Sequence, residues 1–178
     1  MGSNDQWVTP GESNEWYTPR EWAETARDLF GGTIDLDPAS HPAANVFVRA
    51  KRIYTPREDG TIQPWRGKVW CNPPYSAALV RAFAEKARYE YENGNADEVL
   101  LLVNNCTDTS WFVKLAAAYP VMFSRGRIRF WRVVNDVAQE GRANRQGQAI
   151  FYMGPNVRKF KLYFDALAYT PNPNGLEV

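Results

Sequence analysis

A chain of 178 residues is long enough to bury one proper core and short for two sizeable domains. Its 21 Lys and Arg against 20 Asp and Glu leave a formal charge of +1, so overall charge does not announce a polyanionic partner and any such argument must rest on local clusters. Cys71, Cys106 and the single His41 do not make a usual zinc set, no apolar segment is long enough to span a membrane, and no signal-peptide pattern is present. These features point to a metal-free cytoplasmic protein with reduced, buried thiols.

Residues 1–15 are polar and without periodicity, and are expected to form a loose arm ahead of one domain over 16–178. Thr18-Pro19-Arg20-Glu21 predicts a helix start, with Thr18 as N-cap, Pro19 at the first helical position and Glu21 completing a capping box. Trp22, Ala26 and Leu29 would face the core until Gly31-Gly32 ends the helix. Thr33 to Asp37 reads as a strand broken by Pro38, with Asp35 placed for a structural hydrogen bond. Val46-Phe47-Val48 and Arg52-Ile53-Tyr54 read as short strand pieces, followed by a turn at Asp59-Gly60.

The apolar run Lys68-Val69-Trp70-Cys71 leads into Asn72-Pro73-Pro74-Tyr75. A helix then follows with Leu79, Phe83 and Ala87 on one face and Asn93-Gly94 at its end. Glu98 to Val103 is a continuously apolar strand, which implies cover on both faces, and Thr109 to Ala118 is a helix. Three further strands are predicted at Val121–Phe123, Arg127–Trp131 and Gln148–Met153, with a helical face at Phe160, Tyr163, Phe164 and Leu167. Residues 132–147 are rich in Arg, Asn, Gln and Gly and read as a loop. Strands alternating with helices, closed by a late antiparallel hairpin, predict a mostly parallel, doubly wound α/β sheet.

Asn72-Pro73-Pro74-Tyr75 carries the chemistry. A polar side chain followed by the Pro73 carbonyl sets two hydrogen-bond acceptors close together at a strand end, because the Pro-Pro pair removes backbone freedom and donors there. Two such acceptors suit a planar NH2 group, whose lone pair is conjugated and poorly nucleophilic until the nitrogen is drawn toward tetrahedral geometry. Tyr75 offers a flat face for the base or amide that bears it. The alternative for the tetrapeptide alone is a simple turn.

Trp16-Tyr17-Thr18-Pro19, Asp35-Leu36-Asp37-Pro38-Ala39-Ser40 and Asn72-Pro73-Pro74-Tyr75, in that order, make the chain resemble the phage-type DNA N6-adenine methyltransferases, a Dam-like family, over residues 16 to 165. The resemblance implies a Rossmann-like methyltransferase fold, S-adenosylmethionine as cofactor, DNA as partner, base flipping, and a phage or prophage protein acting in a bacterial host; a monomer is assumed, with the oligomeric state left open. It implies Asn72, Pro73, Pro74 and Tyr75 as the catalytic set, with Asp37 and Pro38 in a shortened cofactor motif. Trp16, Thr18 and Asp59 are weaker cofactor candidates, whose alternatives are core packing and a turn.

The chain departs from the wider methyltransferase class in lacking a Gly-x-Gly loop after the first strand and a large inserted recognition domain. Arg125, Arg127, Arg129, Arg132, Arg142 and Arg145, near the late hairpin, are the candidates for gripping DNA; a solvated hairpin face is the alternative. The same tetrapeptide also serves glutamine-amide methylation of proteins, and a DNA-binding module with a silent cofactor site is the rival from another class.

Overall fold

The computed structural model describes residues 17–134 and 137–171, so the expected arm at 1–15 and the cofactor candidate Trp16 lie outside the described residues. The elements in chain order are α1 (Arg20–Leu29), β1 (Ile34–Asp37), α2 (Pro42–Val48), β2 (Ala50–Ile53), β3 (Gly67–Cys71), α3 (Ala77–Glu92), β4 (Ala96–Asn104), α4 (Ser110–Ala118), β5 (Val121–Ser124), β6 (Arg129–Val134), β7 (Val137–Ala143), β8 (Gln148–Met153), α5 (Val157–Phe164) and β9 (Ala168–Tyr169).

Seven strands form one sheet in the order β2-β1-β3-β4-β8-β5-β9. β2, β1, β3 and β4 are mutually parallel, β8 runs against both β4 and β5, and β9 runs against β5. Five strands therefore share one direction, and the protein is a mixed α/β fold with a mostly parallel sheet, as expected. The chain steps from β1 outward to β2 and then returns to β3 on the other side of β1. The crevice between the carboxyl ends of β1 and β3 is thus the switch point, where open α/β sheets take their ligands.

β4 shows why the sheet needs cover on both sides. Leu100 and Leu102 join one buried cluster with Trp22, Ala26 and Leu29 of α1, Val48 of α2 and Phe160 and Phe164 of α5. Val99, Leu101 and Val103 point the other way, into a cluster with Phe83 and Ala87 of α3 and Phe112 and Leu115 of α4. Strand alternation thus converts one continuous apolar run into two cores. In α3 the core stripe is Val80, Phe83, Ala84 and Ala87, while the expected core residue Leu79 is 43% exposed. The inward stripe begins one residue later than the sequence suggests.

Other expectations are corrected. Val46-Phe47-Val48 is not a strand piece but the last turn of α2. Pro42 suits a helix's first turn and His41 Nδ1 accepts the Ala43 amide at 3.2 Å, which outweighs the β-branched side chains that follow. Thr18 is not the N-cap of α1, which is Pro19 with no side-chain cap. The Thr18 hydroxyl oxygen instead accepts the buried Trp70 indole N–H at 3.0 Å, a donor that would otherwise be orphaned.

The expected loop at 132–147 is mostly an antiparallel ribbon, β6 with β7, forming a sheet of its own. Backbone pairing orders it, and at its root Phe130 is buried in the core. Cys71 is buried as expected, but Cys106 is partly exposed; both are free thiols. Asp35 does make structural bonds, to Lys51 Nζ and the Lys68 amide. Among the described residues no helix is long and apolar enough to cross a membrane.

Candidate active site

The site grows from two strand ends. β1 and β3 are neighbours with Leu36 opposite Val69, so Asp37 and Pro38 leave the sheet beside Cys71 and Asn72. The adjacency is electrostatic as well as geometric: burial pushes the Cys71 thiol well up, and the Asp37 charge adds to the rise.

Asp37 is 3% exposed. Burial raises its pKa to about 7, opposed by the Ala39 amide, which donates to Oδ1 at 3.2 Å, and by the Ser40 hydroxyl, which faces the carboxylate with less than full hydrogen-bond geometry. Among the described residues no lysine or arginine pairs with it. A buried carboxylate at a switch point without a cation of its own is suited to an ammonium or hydroxyl donor from a ligand.

The loop after Asp37 is clamped by its neighbours. Tyr54 N–H donates to the Asp37 carbonyl at 3.0 Å, and the Tyr54 carbonyl accepts from Ser40 N–H at 2.9 Å. Gly60 lies against Pro38 so closely that a Cβ there would fall 1.9 Å from the Pro38 carbonyl oxygen. Asp59 itself is exposed with φ of 54°, and its carboxylate closes the local turn through the Thr61 amide and hydroxyl. The turn reading of Asp59 thus has direct geometric support. Thr18 is buried behind β3 with its oxygen engaged by Trp70.

Asn72 is 6% exposed, Pro73 is buried, and Pro74 and Tyr75 are half-buried. The Tyr75 hydroxyl donates to Asn72 Oδ1 at 2.8 Å, and its ring meets Phe130 edge-on, centroids 5.7 Å apart at 79°. Burial, with a smaller push from Cys71, raises the Tyr75 phenol well above the usual tyrosine range. Phe130 lies in β6, so the root of the ribbon is packed against the tetrapeptide. Sequence reasoning missed this role for Phe130, since only the fold brings residues 75 and 130 together.

The ribbon is also tied to the other half of the crevice. Trp131 forms a two-way backbone bridge with Tyr17 at 2.8 and 2.9 Å, and its ring stacks on Phe47 of α2, the helix that begins just after the Asp37 loop. On the far side of β6, Arg127 and Arg129 line a cleft of about 400 Å³ with Arg125, Glu21, Trp22 and Trp131. Neither Asp37 nor the tetrapeptide borders it.

The six arginines therefore divide. Arg125 is held by the carbonyl and carboxylate of Asp165 and lies over Tyr169. Arg127, Arg129 and Arg145 are exposed, and Arg132 is half-buried with a partner. Arg142 falls in β7, and its side chain lies outside the described part of the structure. Where the ribbon rejoins the sheet, Asn104 Oδ1 accepts from both Asn144 Nδ2 at 3.1 Å and Gln148 Nε2 at 3.0 Å. No group of His, Cys, Asp and Glu suited to hold a metal occurs among the described residues.

A mostly parallel sheet with a buried carboxylate and an Asn-Pro-Pro-Tyr turn on adjacent strand ends is a Rossmann-like arrangement, and the family match makes the chain a methyltransferase. The chain belongs to the DNA N-6-adenine-methyltransferase (Dam) family, whose model matches residues 3–169. Among solved structures it is similar to a protein assigned as an RNA methyltransferase from Pyrococcus horikoshii, at 11% identity and a TM-score of 0.46 over 83% of this chain and 89% of that one. It is also similar to precorrin 8W decarboxylase from Methanobacterium thermoautotrophicum, at 11% identity and a TM-score of 0.42 over 87% of this chain and 100% of that one. Among curated proteins none matches the chain significantly.

Proposed function

We propose that the protein transfers a methyl group from S-adenosylmethionine to the exocyclic N6 amine of adenine in DNA. The observation that carries this reading is the placement of Asn72-Pro73-Pro74-Tyr75 one strand away from the buried Asp37 carboxylate at the switch point, in a chain of this family. The buried carboxylate without a cation fits a cofactor that bears an ammonium, and Asp37 with the Pro38 loop would hold it; Thr18, engaged by Trp70, and Asp59, closed on its own turn, would play no direct part. S-adenosylmethionine, when bound, supplies an electrophilic methyl on a sulfonium.

The chain's residues would then act on the amine. Asn72 Oδ1 and the Pro73 carbonyl accept its two N–H bonds and draw the nitrogen toward tetrahedral geometry, while Pro74 fixes the turn and Tyr75 covers the flipped base. No general base is required before methylation, because the amine proton becomes acidic once the nitrogen is alkylated. Reaching adenine inside a duplex requires extruding it. Arg127, just before β6, and Arg129, next to the Phe130 that touches Tyr75, would hold the backbone during extrusion; Arg145 at the end of the ribbon is the next candidate.

The test is to incubate the protein with labelled cofactor and DNA of randomised sequence, then to identify the methylated nucleoside and the bases around it. N6-methyladenine is expected. Label appearing in protein and not in DNA would overturn the DNA reading and favour amide methylation. Asn72→Ala is expected to slow single turnover on the order of a hundredfold or more while leaving cofactor binding intact, as for loss of one preorganised acceptor.

A further inference from the structure

The Asn72 carboxamide and the Tyr75 phenol have separate duties in the reading above: one holds the amine and the other covers the base. Nothing in that reading requires them to touch, yet the Tyr75 hydroxyl donates to Asn72 Oδ1 at 2.8 Å. We propose that the Tyr75 hydroxyl is a positioning group for the Asn72 carboxamide, so that the tyrosine sets the methylation rate through the asparagine as well as through its ring. The inference rests on amine methylation at this tetrapeptide.

A carboxamide turns on its own side-chain bonds, and its oxygen and NH2 ends are nearly the same size. An acceptor that must meet an amine in one orientation therefore needs a contact from outside that fixes where the oxygen lies. The hydroxyl is such a contact. A carbonyl oxygen carries two lone pairs, so a bond from Tyr75 is compatible in geometry with one from an N–H of the substrate.

The donor is itself well fixed. Pro73 and Pro74 hold the backbone between the two side chains, and the ring of Tyr75 is set edge-on against Phe130, which is fully buried. Burial of Asn72 keeps water from competing for the same oxygen and makes the bond worth more than it would be on the surface. The raised phenol keeps its proton at any working pH, so the group stays a donor.

Phenylalanine offers the same flat face without the donor, which separates the two duties of Tyr75. The experiment compares the parent protein, Tyr75→Phe, Tyr75→Ala, Asn72→Ala and the double variant Asn72→Ala with Tyr75→Phe. The probe is a duplex oligonucleotide bearing the site recovered from the randomised DNA, with adenine at the target for single-turnover rates and 2-aminopurine there for stacking.

Tyr75→Phe is expected to keep the parent's 2-aminopurine signal, which Tyr75→Ala changes, and to slow methylation about tenfold, as loss of one buried hydrogen bond predicts. In the Asn72→Ala background the same substitution is expected to cost less than twofold, because the group it positions is gone. A parental rate in Tyr75→Phe overturns the inference. So does an equal loss in both backgrounds, or a changed 2-aminopurine signal in Tyr75→Phe.

If the parent methylates no DNA, the functional reading fails on its own account. The hydrogen bond is then read from the side-chain amide resonances of Asn72 in nitrogen-15-labelled protein. A shift of those resonances in Tyr75→Phe supports the positioning role, and unchanged resonances overturn it.

Discussion

At the scale of single residues the most consequential group is Asp37. Its carboxyl is raised by burial to about 7, above an ordinary unfolded-state aspartate, so between roughly pH 4 and 7 the folded chain binds a proton that the unfolded chain has lost. The fold is therefore destabilised as pH rises through that window, and the loss levels off above 7. Asp37→Asn is expected to flatten this part of the melting profile and to raise the melting temperature at pH 8. Cofactor binding should show the complementary slope: an ammonium favours the ionised carboxylate, so affinity is expected to rise by up to tenfold per pH unit below 7 and then level off. Calorimetric titration at several pH values checks it, and the slope should vanish in Asp37→Asn. Gly60 belongs to the same apparatus at one remove. A methyl at position 60 would collide with the backbone of Pro38, so Gly60→Ala is expected to cost about 1–3 kcal/mol of stability and to weaken cofactor binding, both measurable in one calorimetric series.

At the scale of elements, the ribbon joins what the sequence keeps apart. Its root touches Tyr75 through Phe130 and α2 through Trp131, and its return is fastened by the Asn104 carbonyl to Asn144 and Gln148. Asn104→Leu removes the acceptor shared by the half-buried Asn144 amide and the buried Gln148 amide and is expected to destabilise the protein by roughly 1–3 kcal/mol, seen in chemical denaturation. Arg127→Gln with Arg129→Gln is expected to weaken DNA binding and to reduce its salt slope by about two units, one for each phosphate no longer neutralised, with the fold unchanged. Arg125→Gln should alter the slope little, because Asp165 already holds that guanidinium.

The ribbon and α2 also mark where the sequence stops being legible. α1, α3, α4 and the central strands follow from their own apolar spacing. α2 has only Ala44 and Val48 to bury, and it is decided by the His41 cap, which competes with a β-branched run in plain view. The start of β6 was legible in the strand predicted at Arg127–Trp131, but the rest of the ribbon takes its order from the pairing of β6 with β7. The strand ends at Asp37 and Asn72 were legible as motifs, but the Tyr75 hydroxyl on Asn72 and the clamp of Gly60 on Pro38 depend on contacts that no spacing encodes.

At the scale of the whole molecule, β4 divides the interior into two cores, each covered by its own helices, while the crevice opens at the strand ends beyond both. Stability and chemistry should therefore separate under mutation. Leu101→Ala, deep in the α3 and α4 side, is expected to cost about 2–5 kcal/mol of stability, while whatever protein remains folded keeps the parent's single-turnover rate.

The bridge from Tyr17 to Trp131 has a consequence in time. The two residues are 114 positions apart, from 131 minus 17, so the bridge closes a long loop. β2, β1, β3 and β4 all come from residues 50 to 53, 34 to 37, 67 to 71 and 96 to 104, and can pair among themselves before the later segment leaves a ribosome. The segment at Tyr17, although made first, has no strand to join until residue 131 emerges. Pairings between such distant parts of a chain form slowly. During synthesis the parallel half of the sheet should stand complete while the stretch that runs past the crevice still waits, so that stretch should become resistant to protease later than β1 to β4 in a nascent chain.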